Sequence, residues 1–172
     1  RKVAEDIKEN FDSINLHVVT DCKICLFLGK LFCKPSEKVL TKIFSNTNVK
    51  VFFYNWTIEN LHKAADLSDL AIIPIPKKPF MMSKPENKLL LFWSLGIPVV
   101  VSDTPSYSRV MLETENEDFL CKTNNNFSTS IVKLSSDASI AEDYYQRARK
   151  YIQVNLSREN IFQTWSSIFF ND

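Results

Sequence analysis

The sequence predicts an α/β fold, a parallel β-sheet with helices on both faces. Apolar runs rich in β-branched residues alternate with helical patterns of about 9 to 15 residues, as expected of parallel strands joined by helices. The run LAIIPI at residues 70–75 is apolar without alternation, which is typical of a parallel strand covered on both faces. A chain of 172 residues, 45% of them hydrophobic, suits one domain. Together these observations predict a single Rossmann-like layer.

In the first half of the chain, residue periodicity and capping residues predict strands alternating with helices. The predicted elements are the end of a helix at residues 2–10, a strand at Ile14–Thr20, a helix at 36–45, a strand at 49–56 and a helix that Thr57 caps. Strands are indicated by β-branched and aromatic residues. Helices are indicated by apolar residues on one face, such as Ile58, Leu61, Ala64 and Ala65. Residues 22–34 are compatible with a short strand or a helix-like insertion.

The second half continues the alternation. The predicted elements are a strand at 70–75, a helix at 85–95, a strand at 98–102, a short helix after Thr104, a short strand at 119–121, helices at 127–135 and 138–153, and a final helix at 157–170. The final helix has an apolar stripe at 3.6-residue spacing, which we expect to be buried. The stripe comprises Ile161, Phe162, Trp165, Ile168 and Phe169.

Charge and glycine content exclude several classes of function. The 21 basic residues nearly balance the 20 acidic ones, so the net charge of +1 does not indicate a nucleic-acid partner. Gly29 and Gly96 are the only glycines, which excludes the glycine-rich GxGxxG and GxxxxGK[ST] phosphate loops. No apolar run is long enough to span a membrane, and the charged start does not resemble a signal peptide. We expect a cytoplasmic protein, with peripheral attachment at the inner membrane face left open.

The four cysteines include one CxxC spacing, in DCKIC at residues 21–25. A zinc site would need a second CxxC or a Cys/His pair, and His17 and His62 fall in a predicted strand and a predicted helix. We therefore expect free thiols, buried or partly buried, and no metal. The cysteines are Cys22, Cys25, Cys33 and Cys121.

The stretch SKPENKLLLFWSLGIPVVVSD, residues 83–103, contains signals for both ends of a helix. Ser83 and Glu86 have the spacing of a capping box. Gly96 can adopt the left-handed conformation that closes a helix, and Pro98 prevents its resumption. Apolar residues between these ends surround the helix, so we expect burial on every side, at Leu91 as elsewhere.

The polar start of this helix follows strand 70–75 through a loop, which places it at the carboxyl edge of the sheet, where α/β folds bind ligands. Backbone amides and the helix dipole, worth roughly 0.3–1 kcal/mol for an anion, make it a candidate phosphate site without glycine. Lys84 and Lys88 add positive charge. The alternative is that Ser83 and Glu86 only cap the helix while the lysines are solvated.

The order YNWT, a helix, ADLSDLAIIPI, a loop, and KPENKLLLFWSLGIPVVVSDTPSY resembles the donor-binding C-terminal half of GT-B glycosyltransferases, in particular the group 1, family 4-like enzymes. The strongest likeness is NKLL at residues 87–90 followed by GIPVV at 96–100, which is similar to the family run PNKL…GxPVV. The resemblance covers residues 16–170.

The resemblance implies a nucleotide-diphosphate sugar at the carboxyl edge, with its pyrophosphate facing the helix that begins near Ser83 and its base beside the YNW turn. Amides, dipole and lysines would stabilise the leaving nucleoside diphosphate, so no metal or other cofactor is expected. For Tyr54 and Trp56, core packing is the alternative. No catalytic residue is assigned. The implied binding residues are Ser83, Lys84, Glu86, Asn87, Lys88, Tyr54, Asn55 and Trp56.

The chain departs from the family pattern at two acidic positions. Leu91 occupies the position where the family usually has a Glu for the ribose hydroxyls, and Ser83 replaces the partner Glu near the donor sugar. Glu86 could substitute through a shifted loop. We also expect the first strand and the N-terminal domain to be missing. That domain would bind a glycan or lipid-linked acceptor, so the chain alone would not turn over.

Two other functions fit the same residues. A non-catalytic interaction module derived from a glycosyltransferase is favoured by Leu91 at the position of the usual Glu. A GT-B-like sugar-nucleotide epimerase would bind the same donor but would not need an acceptor.

Overall fold

The structure is a computed structural model that describes residues 2–25 and 33–170, with the backbone alone at residues 24, 25, 33 and 170. It has two compact units, which meet in sequence between Ser68 and Asp69. Each unit contains parallel strands and helices. The predicted α/β class is confirmed, and the single domain stays a prediction.

The first unit is built on two parallel strands that pair along seven positions, from Ile14 opposite Val49 to Thr20 opposite Asn55. Its elements are α1 (Lys2–Ile7), β1 (Ile14–Thr20), β2 (Lys23–Cys25), β3 (Cys33–Pro35), α2 (Ser36–Phe44), β4 (Val49–Asn55) and α3 (Ile58–Asp66). The predicted helices and the strands β1 and β4 are confirmed, with β4 ending one residue early.

Helix α3 packs against β1 and β4 and begins as the sequence predicts. The Thr57 hydroxyl accepts a hydrogen bond from the Asn60 amide at 3.1 Å, and Leu61 is buried. Ile58, which shares the face of Leu61, is exposed. Because Cβ atoms tilt toward the helix N-terminus, the side chain of this first residue extends past the helix end.

The segment at residues 22–34 contains strand at both of its ends. Strands β2 and β3 pair in antiparallel fashion, with Lys23 opposite Pro35. The alternatives of a short strand or a helix-like insertion concern CLFLGKLF, residues 25–32, and stay predictions. Residues 26–32 lie outside the described residues.

The second unit contains a parallel sheet in the order β5-β6-β7. All four residues of β6 are buried, so both of its faces are covered, because successive side chains point to opposite faces. Its elements are β5 (Ala71–Ile73), α4 (Pro79–Met82), α5 (Asn87–Ser94), β6 (Val99–Ser102), α6 (Pro105–Glu113), a 3₁₀ helix (Glu117–Phe119), β7 (Leu120–Cys121), α7 (Asn124–Ser136), α8 (Ala138–Asn155) and α9 (Arg158–Phe170).

Two predictions about these strands need correction. Strand β5 is shorter than predicted, and Ile72 is exposed although we expected cover on both faces. Within this unit β5 lies at the edge of the sheet, which leaves one side of the strand without a neighbour. The strand predicted at 119–121 loses Phe119 to the 3₁₀ helix.

A hydrogen-bonded pair of aromatic residues joins α5, α8 and β6 in the core of the second unit. The Trp93 Nε1–H donates to the Tyr144 hydroxyl at 2.9 Å, and that hydroxyl donates to the Val99 carbonyl at 2.9 Å. All three residues are buried, and burial raises the pKa of Tyr144. Satisfying each polar group lets large rings fill this core without an unpaired donor.

The predicted final helix is present, but its expected burial is wrong. Helix α9 is capped by the Ser157 hydroxyl, which accepts from the Asn160 amide at 3.1 Å, and it contacts α8. Its five stripe residues are between 43% and 66% exposed. Among the described helices, none is both long and apolar enough to cross a membrane.

Candidate functional site

The loop between β5 and α5 lies at the carboxyl edge of the second unit's sheet, as the sequence predicts. The Ile75 amide donates to the Ser102 hydroxyl at 2.7 Å, which holds the start of the loop against the last residue of β6. The loop therefore leads α5 to the edge where parallel α/β sheets bind ligands.

The predicted capping box is wrong. Ser83 is the C-cap of the four-residue helix α4, and its hydroxyl donates to the Phe80 carbonyl at 3.1 Å. Helix α5 begins at Asn87, so Glu86 is the N-cap, and its side chain makes no capping hydrogen bond. Because α4 ends at Met82 and α5 begins only at Asn87, Ser83 lies outside α5 and does not cap it.

The Glu86 carboxylate is held by an ion pair with Arg109 of α6. Arg109 also donates to Glu113 at 3.0 Å. Hydrogen bonds to Tyr151 and Glu113 raise the pKa of Arg109. Burial, with the Glu86 charge nearby, raises the pKa of Tyr107. Glu86 therefore joins the start of α5 to α6, and a ligand that used this carboxylate would compete with Arg109.

The N-terminus of α5 is exposed and basic. Its first helical hydrogen bond runs from the Leu90 amide to the Glu86 carbonyl at 3.1 Å, so the amides before Leu90 belong to the turn that lacks intrahelical partners. Lys84, Asn87 and Lys88 are exposed. Residues 76–88 contain four lysines and one glutamate, a surplus of three positive charges in a chain whose total is +1. The arrangement favours an anion.

The expected burial of α5 on every side is wrong. Leu89 and Trp93, one turn apart, are buried, whereas Leu91 is 36% exposed. The prediction for its end is confirmed. Gly96 has a φ of 77°, and its amide donates to the Trp93 carbonyl at 3.0 Å in the manner of a Schellman motif.

The residues predicted to border a base lie in the first unit, at the end of β4. The Tyr54 hydroxyl lies 3.1 Å from His17 Nδ1, and burial lowers the pKa of His17. The Asn55 Oδ1 accepts from the Cys22 thiol at 2.9 Å. Trp56 is 55% exposed, which excludes the core-packing alternative for it. Tyr54 is half-buried.

A different hollow of the second unit lies by the 3₁₀ helix that precedes β7, hence at the amino end of that strand. It has a volume of about 170 Å³. None of the predicted site residues lines it. The lining residues are Glu115, Asp118, Phe119, Lys133, Ile140, Asp143 and Arg147.

The thiols agree in part with the expectation of buried free cysteines. Cys121 is free and buried, and burial raises its pKa to about 11, whereas the Cys22 thiol is free and exposed. Across residues 2–25 and 33–170, no group of three or more His, Cys, Asp or Glu side chains is arranged to hold a metal ion.

Sequence reasoning missed Arg109 as a neighbour of the candidate site. Its pairing with Glu113 four residues later is a helical pattern that the sequence could have revealed. The pairing with Glu86 spans 23 positions, so it follows only from the tertiary structure.

Comparison with known proteins adds no assignment to this geometry. No family model matches the chain, and no curated protein has a significantly similar sequence.

Proposed function

We propose that the chain is the nucleotide-sugar-binding domain of a GT-B-type glycosyltransferase, which transfers a sugar to a glycan or polysaccharide acceptor. The observation that supports this most is the exposed basic N-terminus of α5 at the carboxyl edge of the sheet. The residues that resemble the family run are NKLL, which lies on this same helix, and GIPVV, which leads from the end of the helix into β6.

In this proposal the first-turn amides of α5 bind the pyrophosphate, and Lys84 and Lys88 supply mobile positive charge. Asn87 donates through its side-chain amide to a phosphate or sugar oxygen. Leaving-group charge is then stabilised by groups already oriented before the reaction. Glu86 positions the helix start through Arg109 and does not bind ribose.

Binding of nucleotides to the full chain tests the proposal. UDP, GDP, ADP and their sugar conjugates are added, and the melting temperature is measured. A ligand at 100 times its dissociation constant adds about 2.7 kcal/mol to the free energy of unfolding, enough for a clear shift. No shift with any of them would contradict the proposal and favour the non-catalytic module.

A variant at the helix start locates the binding. Lys88→Ala should weaken nucleotide affinity by about two- to fivefold, since an exposed charge contributes roughly 1 kcal/mol or less. Lys150→Ala removes another exposed charge, from α8, and should leave the affinity unchanged. Equal affinity in both variants would make Lys88 a solvated surface charge. Conversion of the donor sugar without any acceptor would instead identify an epimerase.

A further inference from the structure

The β2–β3 hairpin pairs two of the four cysteines. In its antiparallel register Cys25 lies directly opposite Cys33. We propose that these two residues form a reversible disulfide, a redox modification site at the carboxyl end of β1. The backbone pairing of the two strands supports this disulfide, which does not depend on the nucleotide site.

The hydrogen-bonding pattern defines the kind of pair these cysteines occupy. The Ser36 amide donates to the Cys22 carbonyl at 2.9 Å, so the register continues past the strands to a hydrogen-bonded pair. Hydrogen-bonded and non-hydrogen-bonded pairs alternate along an antiparallel ladder. Counting three positions along the ladder from the hydrogen-bonded pair of Cys22 and Ser36, Cys25 and Cys33 occupy a non-hydrogen-bonded pair. Pro35, which has no N–H, also falls on a non-hydrogen-bonded pair, opposite Lys23.

That kind of pair suits a disulfide. Opposite Cα atoms in it are about 4.5 Å apart, against about 5.5 Å in a hydrogen-bonded pair. Both distances fall in the range of roughly 4.4–6.8 Å that disulfides bridge, but a disulfide also needs Cβ atoms about 3.5–4.5 Å apart. Opposite Cβ atoms are closer in non-hydrogen-bonded pairs, which favours the register position of Cys25 and Cys33. The bond would enclose the seven residues 26–32.

The base of the hairpin is attached to the rest of the first unit. The Ser36 hydroxyl is buried and donates to the Asp21 carbonyl at 2.6 Å, and Ser36 begins α2. The paired strands therefore already hold the two ends of the nine-residue segment together. Much of the entropy that closing this loop would cost in the unfolded chain is lost before the sulfurs react.

The other two thiols are poor competitors. Cys22 occupies the register position opposite Ser36, and its thiol donates to Asn55 Oδ1. Cys121 is buried in the second unit, and burial raises its pKa, so little of the reactive thiolate is present.

The oxidant in this proposal is a small disulfide such as oxidised glutathione. The thiolate of one cysteine attacks a glutathione sulfur, breaks the S–S bond and releases one glutathione thiolate. The second cysteine thiolate then attacks the protein sulfur of the mixed disulfide and releases the second glutathione thiolate. The two cysteines lose two electrons, the oxidant gains them, and the released thiolates take up the two protons.

Peptide mapping tests the pairing in the full chain. The protein is equilibrated with oxidised and reduced glutathione, quenched in acid, alkylated and digested with trypsin. Cleavage after Lys23 and Lys30 places Cys22, Cys25 and Cys33 on three separate peptides, 9–23, 24–30 and 31–38. We expect peptides 24–30 and 31–38 to be joined, with Cys22 and Cys121 recovered as alkylated thiols.

The same equilibration in guanidinium chloride is the control for the folded hairpin. We expect the disulfide to be favoured about tenfold more in the native protein than in the denatured chain, at the same glutathione ratio. In the Cys25→Ser and Cys33→Ser variants, the reaction with oxidised glutathione should stop at the mixed disulfide. Cys22→Ser should leave the disulfide between Cys25 and Cys33 unchanged. Joined peptides that include Cys22, mixed disulfides alone in the unsubstituted protein, or equal formation in denaturant would each overturn the proposal.

Discussion

Helices α5 and α9 each contain one tryptophan, yet the two rings lie in opposite environments. Trp93 of α5 is buried, contacts Tyr144 edge to face at 6.1 Å and donates a hydrogen bond to its hydroxyl. Trp165 of α9 is exposed and stacks on Phe169, four residues later in the same helix, at 5.6 Å. An apolar stripe therefore establishes that a helix is amphipathic, whereas burial depends on what another element presents to it.

The largest expected difference between these helices is the free energy of unfolding after truncation of the two tryptophans. Trp93→Ala should lower it by about 3–5 kcal/mol, because it empties a packed site and removes a donor from Tyr144. Trp165→Ala should change it by less than about 0.5 kcal/mol. Denaturant unfolding of both variants measures the difference. A cost at Trp165 similar to that at Trp93 would show that α9 is buried against a partner in solution.

Two leucines of α5 bring the comparison within a single helix. Leu89→Ala should lower the free energy of unfolding by about 2–5 kcal/mol, since Leu89 is fully buried. Leu91→Ala should lower it by about 1 kcal/mol or less, because its side chain already contacts water. Urea unfolding measures both losses from the shift in midpoint, provided that the slope of the free energy of unfolding against urea concentration is unchanged. Equal losses would restore the original expectation that α5 is buried on every side.

The Tyr144 hydroxyl tests whether hydrogen bonding, as well as apolar contact, holds α5 in the core. Tyr144→Phe should lower the free energy of unfolding by about 1–3 kcal/mol, because the Trp93 donor and the Val99 acceptor lose their partner. Tyr145→Phe, at the half-buried next position of α8, is the matched control and should be close to neutral. A neutral Tyr144→Phe would mean that packing alone sets this core.

The smallest expected effect is on the pH dependence of stability, and it comes from the half-buried His17 of β1 in the first unit. Burial lowers the pKa of His17, so the unfolded chain binds the proton more readily. Stability from the neutral ring is fully present above its ordinary pKa of about 6.5 and is lost as the pH falls below it. The melting temperature should therefore decrease from pH 7 to pH 5, and His17→Gln should reduce this decrease. A decrease of the same size in His17→Gln would contradict this assignment.

The local signals in the sequence were sufficient for most elements because they act within a few residues. The Thr57 cap, the Thr104 cap and the left-handed Gly96 are all where the sequence predicts them. Each depends on a hydrogen bond or a backbone angle of its own turn. Strand β1 has its predicted bounds for the same reason, because β-branched residues and the polar residue that follows mark it locally.

The sequence was less informative at the candidate site, because a cap spacing does not say which helix uses it. Ser83 and Glu86 have capping-box spacing, but α4 takes the serine as its C-cap and Arg109 takes the glutamate as its ion-pair partner. The exposed lysines at residues 84 and 88 could be predicted, since charged side chains at a helix start remain in water unless they are paired.

By itself the sequence determined the order of the main strands and helices, the caps of several of them and the basic character of the start of α5. These properties follow from interactions between residues a few positions apart. Only the tertiary structure decided that Glu86 pairs with Arg109, that Leu89 rather than Leu91 is buried, that Cys25 lies opposite Cys33, and that the stripe of α9 is exposed. These outcomes depend on which elements meet, and that is set by packing across the whole unit.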